Sequence, residues 1–202
     1  MWTNGLSYRY HTSEHRSFMP RVFFALEIER TAAPVFLTMQ AILRRNVRDK
    51  RVRWVREQQF YIAVHFVGEV SHETAQRLKG DLLLLSRQPI ELTTWTLDIF
   101  PTKEYPRTIV SRLADLTSTA FQLHAALVPI LLRAGLSVDV SPWNPHLVLA
   151  QVQPGGGAIH LHLEEIHDPQ FSFFVHSVTL FETIPGLAVK YVPLASVELE
   201  RP

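Results

Sequence analysis

The densest group of chemically capable side chains in this 202-residue sequence is basic: Arg44, Arg45, Arg48, Lys50, Arg51, Arg53 and Arg56 fall within 13 positions, opposed only by Asp49. Such a patch can neutralise phosphates, and Trp54 inside it can stack a base. The same run also reads as a solvated helix end and loop. A second group is imidazole. His160-Leu-His162, with His167 nearby, would set two rings on one face of a strand as half of a metal site. In a helix the two side chains diverge by about 200°, and no third ligand is fixed by the sequence. Gly155-Gly-Gly157 lacks the lysine and Ser/Thr of a phosphate-cradling loop, so it reads as a flexible connector. The absence of cysteine removes disulfides, thiol nucleophiles and thiolate metal sites together.

The fold that positions these groups has ordinary globular composition, 47% apolar and 19% charged with a formal net charge of +1. That excludes disordered and low-complexity classes and leaves no global field directed at nucleic acid or membrane. The greasiest stretch, Ala125 to Leu132, is broken by Pro129 and is too short to span a bilayer, so no membrane partner is expected. Residues 1 to 18 carry no apolar signal-like region and read as a loose N-terminal arm ahead of one bilobal folded unit over 19–202. A cytoplasmic monomer is the expectation.

Arg21 to Ile28 reads as a largely buried strand, followed by a helix over Pro34 to Arg45 with Thr31 or Ala33 near its cap. Val52 to Arg56 and Phe60 to Val67 read as strands. A helix capped by Ser71 runs from His72 to about Arg87. Ile90 to Phe100 and Thr108 to Arg112 are strands, and a helix spans Ala114 to Arg133 with Pro129 inside and Gly135 as its stop. His146 to Val152 is a strand, Ala158 to Ile166 a short helix, and Phe171 to Glu182 with Val189 to Leu199 a closing hairpin around Pro185-Gly186. Phe171, Phe173 and Phe174 are expected in the core. Strands and helices interleave without strict alternation, so the expected class is α+β. Phe60–Val67 holds a place in the first half like that of His146–Val152 in the second, which implies two pseudo-symmetric lobes of antiparallel sheet with outer helices around a central cleft.

Several segments together resemble the two-histidine phosphoesterases, the family of RNA 2′,3′-cyclic phosphodiesterases also described as 2′-5′ RNA ligases. Arg21-Val-Phe-Phe-Ala-Leu resembles the opening strand. Gln59-Phe-Tyr-Ile-Ala-Val-His-Phe-Val-Gly-Glu-Val70, with Trp54 before it, resembles the first motif strand. Phe100-Pro101 with Pro106-Arg107-Thr-Ile-Val resembles the middle segment, Pro145-His-Leu-Val-Leu-Ala150 the second motif, and Val175 to Phe181 with Tyr191 the closing hairpin. The resemblance implies a His-x-Thr on each of two strands facing one cleft, since residues i and i+2 share a face. One imidazole would take a proton, the other would give one, and the hydroxyls would hold phosphate oxygens. No metal or other cofactor is implied.

Here the first motif is Tyr61-Ile62-Ala63 and the second is His146-Leu147-Val148. One imidazole and both hydroxyls are replaced, and Gln151 stands where many relatives carry arginine. Tyrosine, with a pKa near 10, is a poor general base at neutral pH, although its hydroxyl can donate. The resemblance therefore implies His146 and Tyr61 as the remaining catalytic positions. Ala63, His65, Val148, Arg107, Thr183, Arg53 and Trp54 are implied around the substrate. His65 is expected on the face of Tyr61 and Ala63, about 13 Å along the strand from Tyr61, as a displaced imidazole or a solvated cleft-edge side chain. Two readings stay open: a diverged, metal-independent phosphodiesterase acting on an RNA end or small nucleotide, and a binding protein that keeps that ligand without turnover.

Overall fold

The computed structural model describes residues 19–139, 141–155, 158, 170–186 and 189–201. Its strands are β1 (Arg21–Ile28), β2 (Val52–Trp54), β3 (Tyr61–Glu69), β4 (Glu91–Pro101), β5 (Pro106–Ala114), β6 (His146–Val152), β7 (Ser172–Ile184) and β8 (Lys190–Glu198). Its helices are α1 (Ala33–Asn46), α2 (His72–Leu82) and α3 (Thr119–Arg133). Every strand pairing is antiparallel, in the order β2-β6-β5-β4-β7-β1-β3, and β8 adds to β7. The long strand β7 joins the two halves: Ser172 to Phe174 pair with β4, and Val175 onward pairs with β1 and β8. The expected α+β architecture of antiparallel sheet with outer helices is therefore present.

Each helix follows from its sequence, with differences that local hydrogen bonds explain. α1 buries Ala33, Phe36, Met39, Gln40 and Leu43 on one stripe and carries Arg44 and Arg45 in its last turn, where the helix dipole favours cations. Its cap is Ala32, without a side-chain bond, while Thr31 donates to Glu29 instead. Ser71 caps α2 by accepting from the Thr74 amide at 3.0 Å. That helix stops at Leu82, short of the expected Arg87: the Leu84 and Leu85 amides bond the carbonyls three residues back, on Asp81 and Leu82, and the chain then turns Ile90 into the core. α3 starts at Thr119, five residues late. The Asp115 carboxylate accepts from the Phe121 amide at 2.9 Å, and Ser118 adopts a left-handed φ of 61°, so residues 115–118 form a loop. Gly135, at φ 74°, ends that helix as expected.

The main core lies between the sheets and the helices and takes Phe24, Leu26, Ile62, Leu92, Ile109, Leu147 and Leu149 from the strands. Phe173 joins it, whereas Phe171 and Phe174 are only partly buried. A smaller cluster of Phe23, Ala25 and Phe181 sits on the opposite face of β1 and β7, covered by Tyr61 and Tyr191. The N-terminal arm and the expected helix over Ala158 to Ile166 lie outside the described residues. Among the described residues no helix is long and apolar enough to cross a membrane.

Candidate functional site

β3 and β6 face one another across a cleft without forming a ladder among the described residues. On β3, the register with β1 pairs Leu26 with Ile62 and Ala25 with Ala63, then jumps to Phe24 with His65 and Phe23 with Phe66. Val64 is the extra residue of a β-bulge, and one extra residue exchanges the faces of the residues that follow it. Tyr61, Ala63 and Phe66 consequently share the face of Phe23. His65 turns to the opposite, helix-facing side. This corrects the expectation that His65 shares the face of Tyr61 and Ala63, although His65 still lines one cavity with Ala63 and His146. Its side chain is 5% exposed, Nε2 donates to the His124 carbonyl at 3.1 Å, and its ring stacks on His124 at 4.1 Å. His124 in turn stacks on Trp143 at 5.1 Å, and Trp143 Nε1 donates to the Ala63 carbonyl at 2.9 Å. Burial lowers the pKa of both imidazoles.

Tyr61 is held in the aromatic cluster. Its ring centroid lies 5.2 Å from that of Phe23, 6.0 Å from Phe181 and 5.2 Å from Tyr191. Burial, reinforced by a hydroxyl hydrogen bond with Tyr191, raises the phenol pKa far above its ordinary value, so it stays protonated at neutral pH. Thr183 is half-buried between Arg21 and Tyr191 in register, on the same face as Phe181. Where the resemblance implies a general acid or base and a phosphate-binding hydroxyl, β3 presents a packed phenol and the methyl of Ala63.

The β6 side is polar. His146 is half-buried, and its Nδ1 donates to the Asn144 carbonyl at 2.7 Å, which leaves Nε2 as the proton acceptor of the neutral ring. Phe100 meets it edge-on at 4.9 Å. Burial, assisted by the neighbouring charge of Arg112, lowers its pKa, so the neutral form prevails at pH 7. Arg112 stands opposite His146 in the β5–β6 register. Its Nη1 donates to Asp98 and its Nη2 to Asn144 Oδ1, each at 3.3 Å, and its guanidinium lies 5.6 Å from the Trp95 ring and 5.9 Å from Phe100. Val148, paired with Val110, adds an apolar half-buried wall. A cavity of about 350 Å³ is lined by Ala63, His65, Phe66, Phe100, His124, Asp139, Trp143, Asn144 and His146.

The remaining implied residues separate. Arg53 on β2 pairs with Gln151 and is exposed, its Nη1 donating to the Lys50 carbonyl at 2.9 Å. Its neighbour Trp54 must face the other way and packs against the core beneath Arg44, 5.1 Å from its ring. Trp54 is therefore a core side chain, not a cleft-side stacking surface. Arg107 is the exposed extra residue of a bulge where Phe100 and Pro101 pair with Thr108 and Pro106. The arginine that β5 presents beside His146 is Arg112, missed in the sequence although it lies at strand spacing from Thr108. Asp98, Trp143 and His124 join the site with no sequence pattern pointing to them, Asn144 is marked only by its Pro-Trp-Asn-Pro-His context, and Tyr191 belongs to the closing hairpin that the resemblance includes. His160, His162 and His167 lie outside the described residues. Among the described residues no three His, Asp or Glu side chains are grouped to hold a metal.

No family model matches the chain. It is 22% identical over 149 residues to an RNA 2′,3′-cyclic phosphodiesterase of Bacillus subtilis, covering 73% of this chain and 80% of that protein. Its fold is similar to that of TT0787 of Thermus thermophilus, with a TM-score of 0.71 at 18% identity over 89% of this chain and 97% of that one. It is also similar to E. coli LigT complexed with 3′-AMP, with a TM-score of 0.69 at 19% identity over 91% and 99%. The chain has the fold of the two-histidine phosphoesterases, the LigT-like family that its sequence resembles.

Proposed function

We propose that this protein recognises an RNA end or small nucleotide from the His146 side of its cleft, without the usual two-histidine hydrolysis. The observation that carries this reading is the state of Tyr61, which is packed among Phe23, Phe181 and Tyr191 with its phenol kept protonated. Coupled acid–base catalysis needs a second group that exchanges protons near neutrality. Tyr61 does not supply it, and Ala63 and Val148 supply no hydroxyl for a phosphate oxygen. Charge on the β6 side supports anion recognition: Arg112 is oriented beside His146 by Asp98 and Asn144, and Arg53 is exposed on β2 at the outer edge of β6. The ligand class rests on the likeness to a named RNA 2′,3′-cyclic phosphodiesterase and to a structure holding 3′-AMP.

The test is to incubate the purified protein, with chelator present, with an RNA ending in a 2′,3′-cyclic phosphate, following end-group conversion and binding together. Saturable binding without conversion is expected. Conversion that disappears in His146→Ala would replace this reading with a second one, favoured by the Asn144 bond that leaves Nε2 of His146 as a proton acceptor: a one-histidine phosphodiesterase in which Tyr61 is at most a donor. Absence of both binding and conversion would reject RNA-end recognition altogether.

A further inference from the structure

Trp95 is 59% exposed. It is placed there by a β-bulge: Thr94 pairs with Leu113 and Thr96 with Arg112, successive residues of β5, so Trp95 has no partner across the ladder. Bulges re-aim side chains beside functional sites. Here the bulge sets the indole against the Arg112 guanidinium at 5.6 Å, and that guanidinium also lies over Phe100, whose edge meets His146 at 4.9 Å. Arg112 is further tied to Asn144, the residue whose carbonyl fixes His146. With Arg112 against it and most of its surface exposed, the indole offers a stacking surface beside a cation. It lies outside the residues lining the cavity at His146 and is joined to them through Arg112, which contacts Phe100 and Asn144, so it forms a second surface beside that cavity.

We infer that Trp95 is a nucleobase-stacking station, so that the cleft takes an RNA strand of at least two nucleotides in preference to a mononucleotide, with Arg112 facing the phosphate between them. This inference rests on the recognition reading above and names its substrate class. Stacking of a base on an aromatic ring amounts to a loss of about 5- to 150-fold in affinity when the ring is truncated. The experiment compares a short oligoadenylate ending in a 2′,3′-cyclic phosphate with adenosine 2′,3′-cyclic monophosphate, titrated against wild type, Trp95→Ala, Trp95→Leu and Trp95→Phe. In wild type the oligonucleotide should bind more tightly. Trp95→Ala and Trp95→Leu should lower the ratio of oligonucleotide to mononucleotide affinity by about tenfold, and Trp95→Phe should restore most of it. Trp95→Leu keeps apolar packing against Arg112, so its loss isolates stacking from disturbance of the arginine. An unchanged ratio in all three variants, or equal affinity for both ligands in wild type, overturns the inference while leaving RNA-end recognition intact. Binding of neither ligand rejects both. A dimer that Trp95→Ala dissociates, seen by light scattering, would reassign the ring to contact between copies of the chain and also overturn it.

Discussion

Replacing Tyr61 separates packing from chemistry at the first motif position. Tyr61→Phe removes only the hydroxyl that pairs with Tyr191. A typical hydrogen bond contributes about 1 kcal/mol net, and the half-buried Tyr191 hydroxyl can turn to water, so the expected loss is at or below that figure. Tyr61→Ala removes a ring that meets Phe23, Phe181 and Tyr191 within about 6 Å. A fully buried aromatic truncated to alanine costs about 3–5 kcal/mol. Tyr61 is only half-buried, which brings the expectation to about 2–4 kcal/mol, a large share of the roughly 5–15 kcal/mol that stabilises a domain. Urea unfolding gives both differences from midpoints at constant slope, and titration with the cyclic-phosphate RNA gives affinity on the same samples. The expected pattern is a small stability loss and unchanged RNA affinity for Tyr61→Phe, with a large stability loss for Tyr61→Ala. Two results would refute the reasoning: a Tyr61→Phe variant of normal stability that loses RNA binding or conversion at least tenfold, which would put the phenol on the ligand, or a Tyr61→Ala variant as stable as wild type, which would deny the cluster its structural role.

Two further outcomes follow from buried polar side chains. His65, His124 and His146 all have pKa values lowered chiefly by burial; the unfolded chain therefore takes up protons first as pH falls through about 6.5. Their contribution to stability is fully present above that pH and is lost below it, down through the folded-state values. The urea midpoint should be lower at pH 5.5 than at pH 7.5, and His65→Gln should flatten the difference, whereas a midpoint independent of pH would mean that these rings are solvated. Gln40, 2% exposed, donates from Nε2 to the carbonyls of Val55 and Leu149, both at 2.8 Å, and so ties α1 to β6 and to the segment after β2. The Leu149 carbonyl also accepts from the Val55 amide at 3.0 Å, so Gln40→Leu leaves the Val55 carbonyl as the one that loses its donor, at roughly 1–3 kcal/mol; a stability loss of that size is expected by urea unfolding, and a loss below about 0.5 kcal/mol would show that another donor reaches it.

The parts of the fold legible in the sequence are those fixed by periodicity and punctuation. Arg21–Ile28 and His146–Val152 begin and end where read, because apolar runs flanked by Pro20 and Pro145 leave little choice of boundary. The start of α3 was not legible, since it depends on Asp115 reaching the Phe121 amide six residues on. The face of His65 was hidden for a related reason: alternation holds only while the ladder is regular, and the bulge at Val64 contains no glycine or proline to announce it. Trp95 was lost inside a strand-like run for the same cause, and Trp54 reads as a ligand-side ring because a cluster of charges does not say which face its aromatic neighbour takes.

These irregularities divide the cleft unevenly. On the β3 side, the bulge removes an imidazole from the face that Tyr61 and Ala63 share and commits it to a stack with His124 and Trp143, whose indole is bonded back to the Ala63 carbonyl. Returning His65 to that face would require deleting the bulge, exchanging the face of Phe66, and breaking the bond to the His124 carbonyl. His65 and His146 line one cavity, but the His65 Nε2 is engaged with the His124 carbonyl and its ring with the His124 ring, which opposes their use as a rebuilt pair. On the β6 side the polar residues are mutually oriented, with Asn144 holding both His146 and Arg112. One wall of the cleft thus presents oriented hydrogen-bond donors while the opposite wall offers aromatic surface in place of a proton relay, and on this asymmetry the proposed separation of RNA-end recognition from hydrolysis rests.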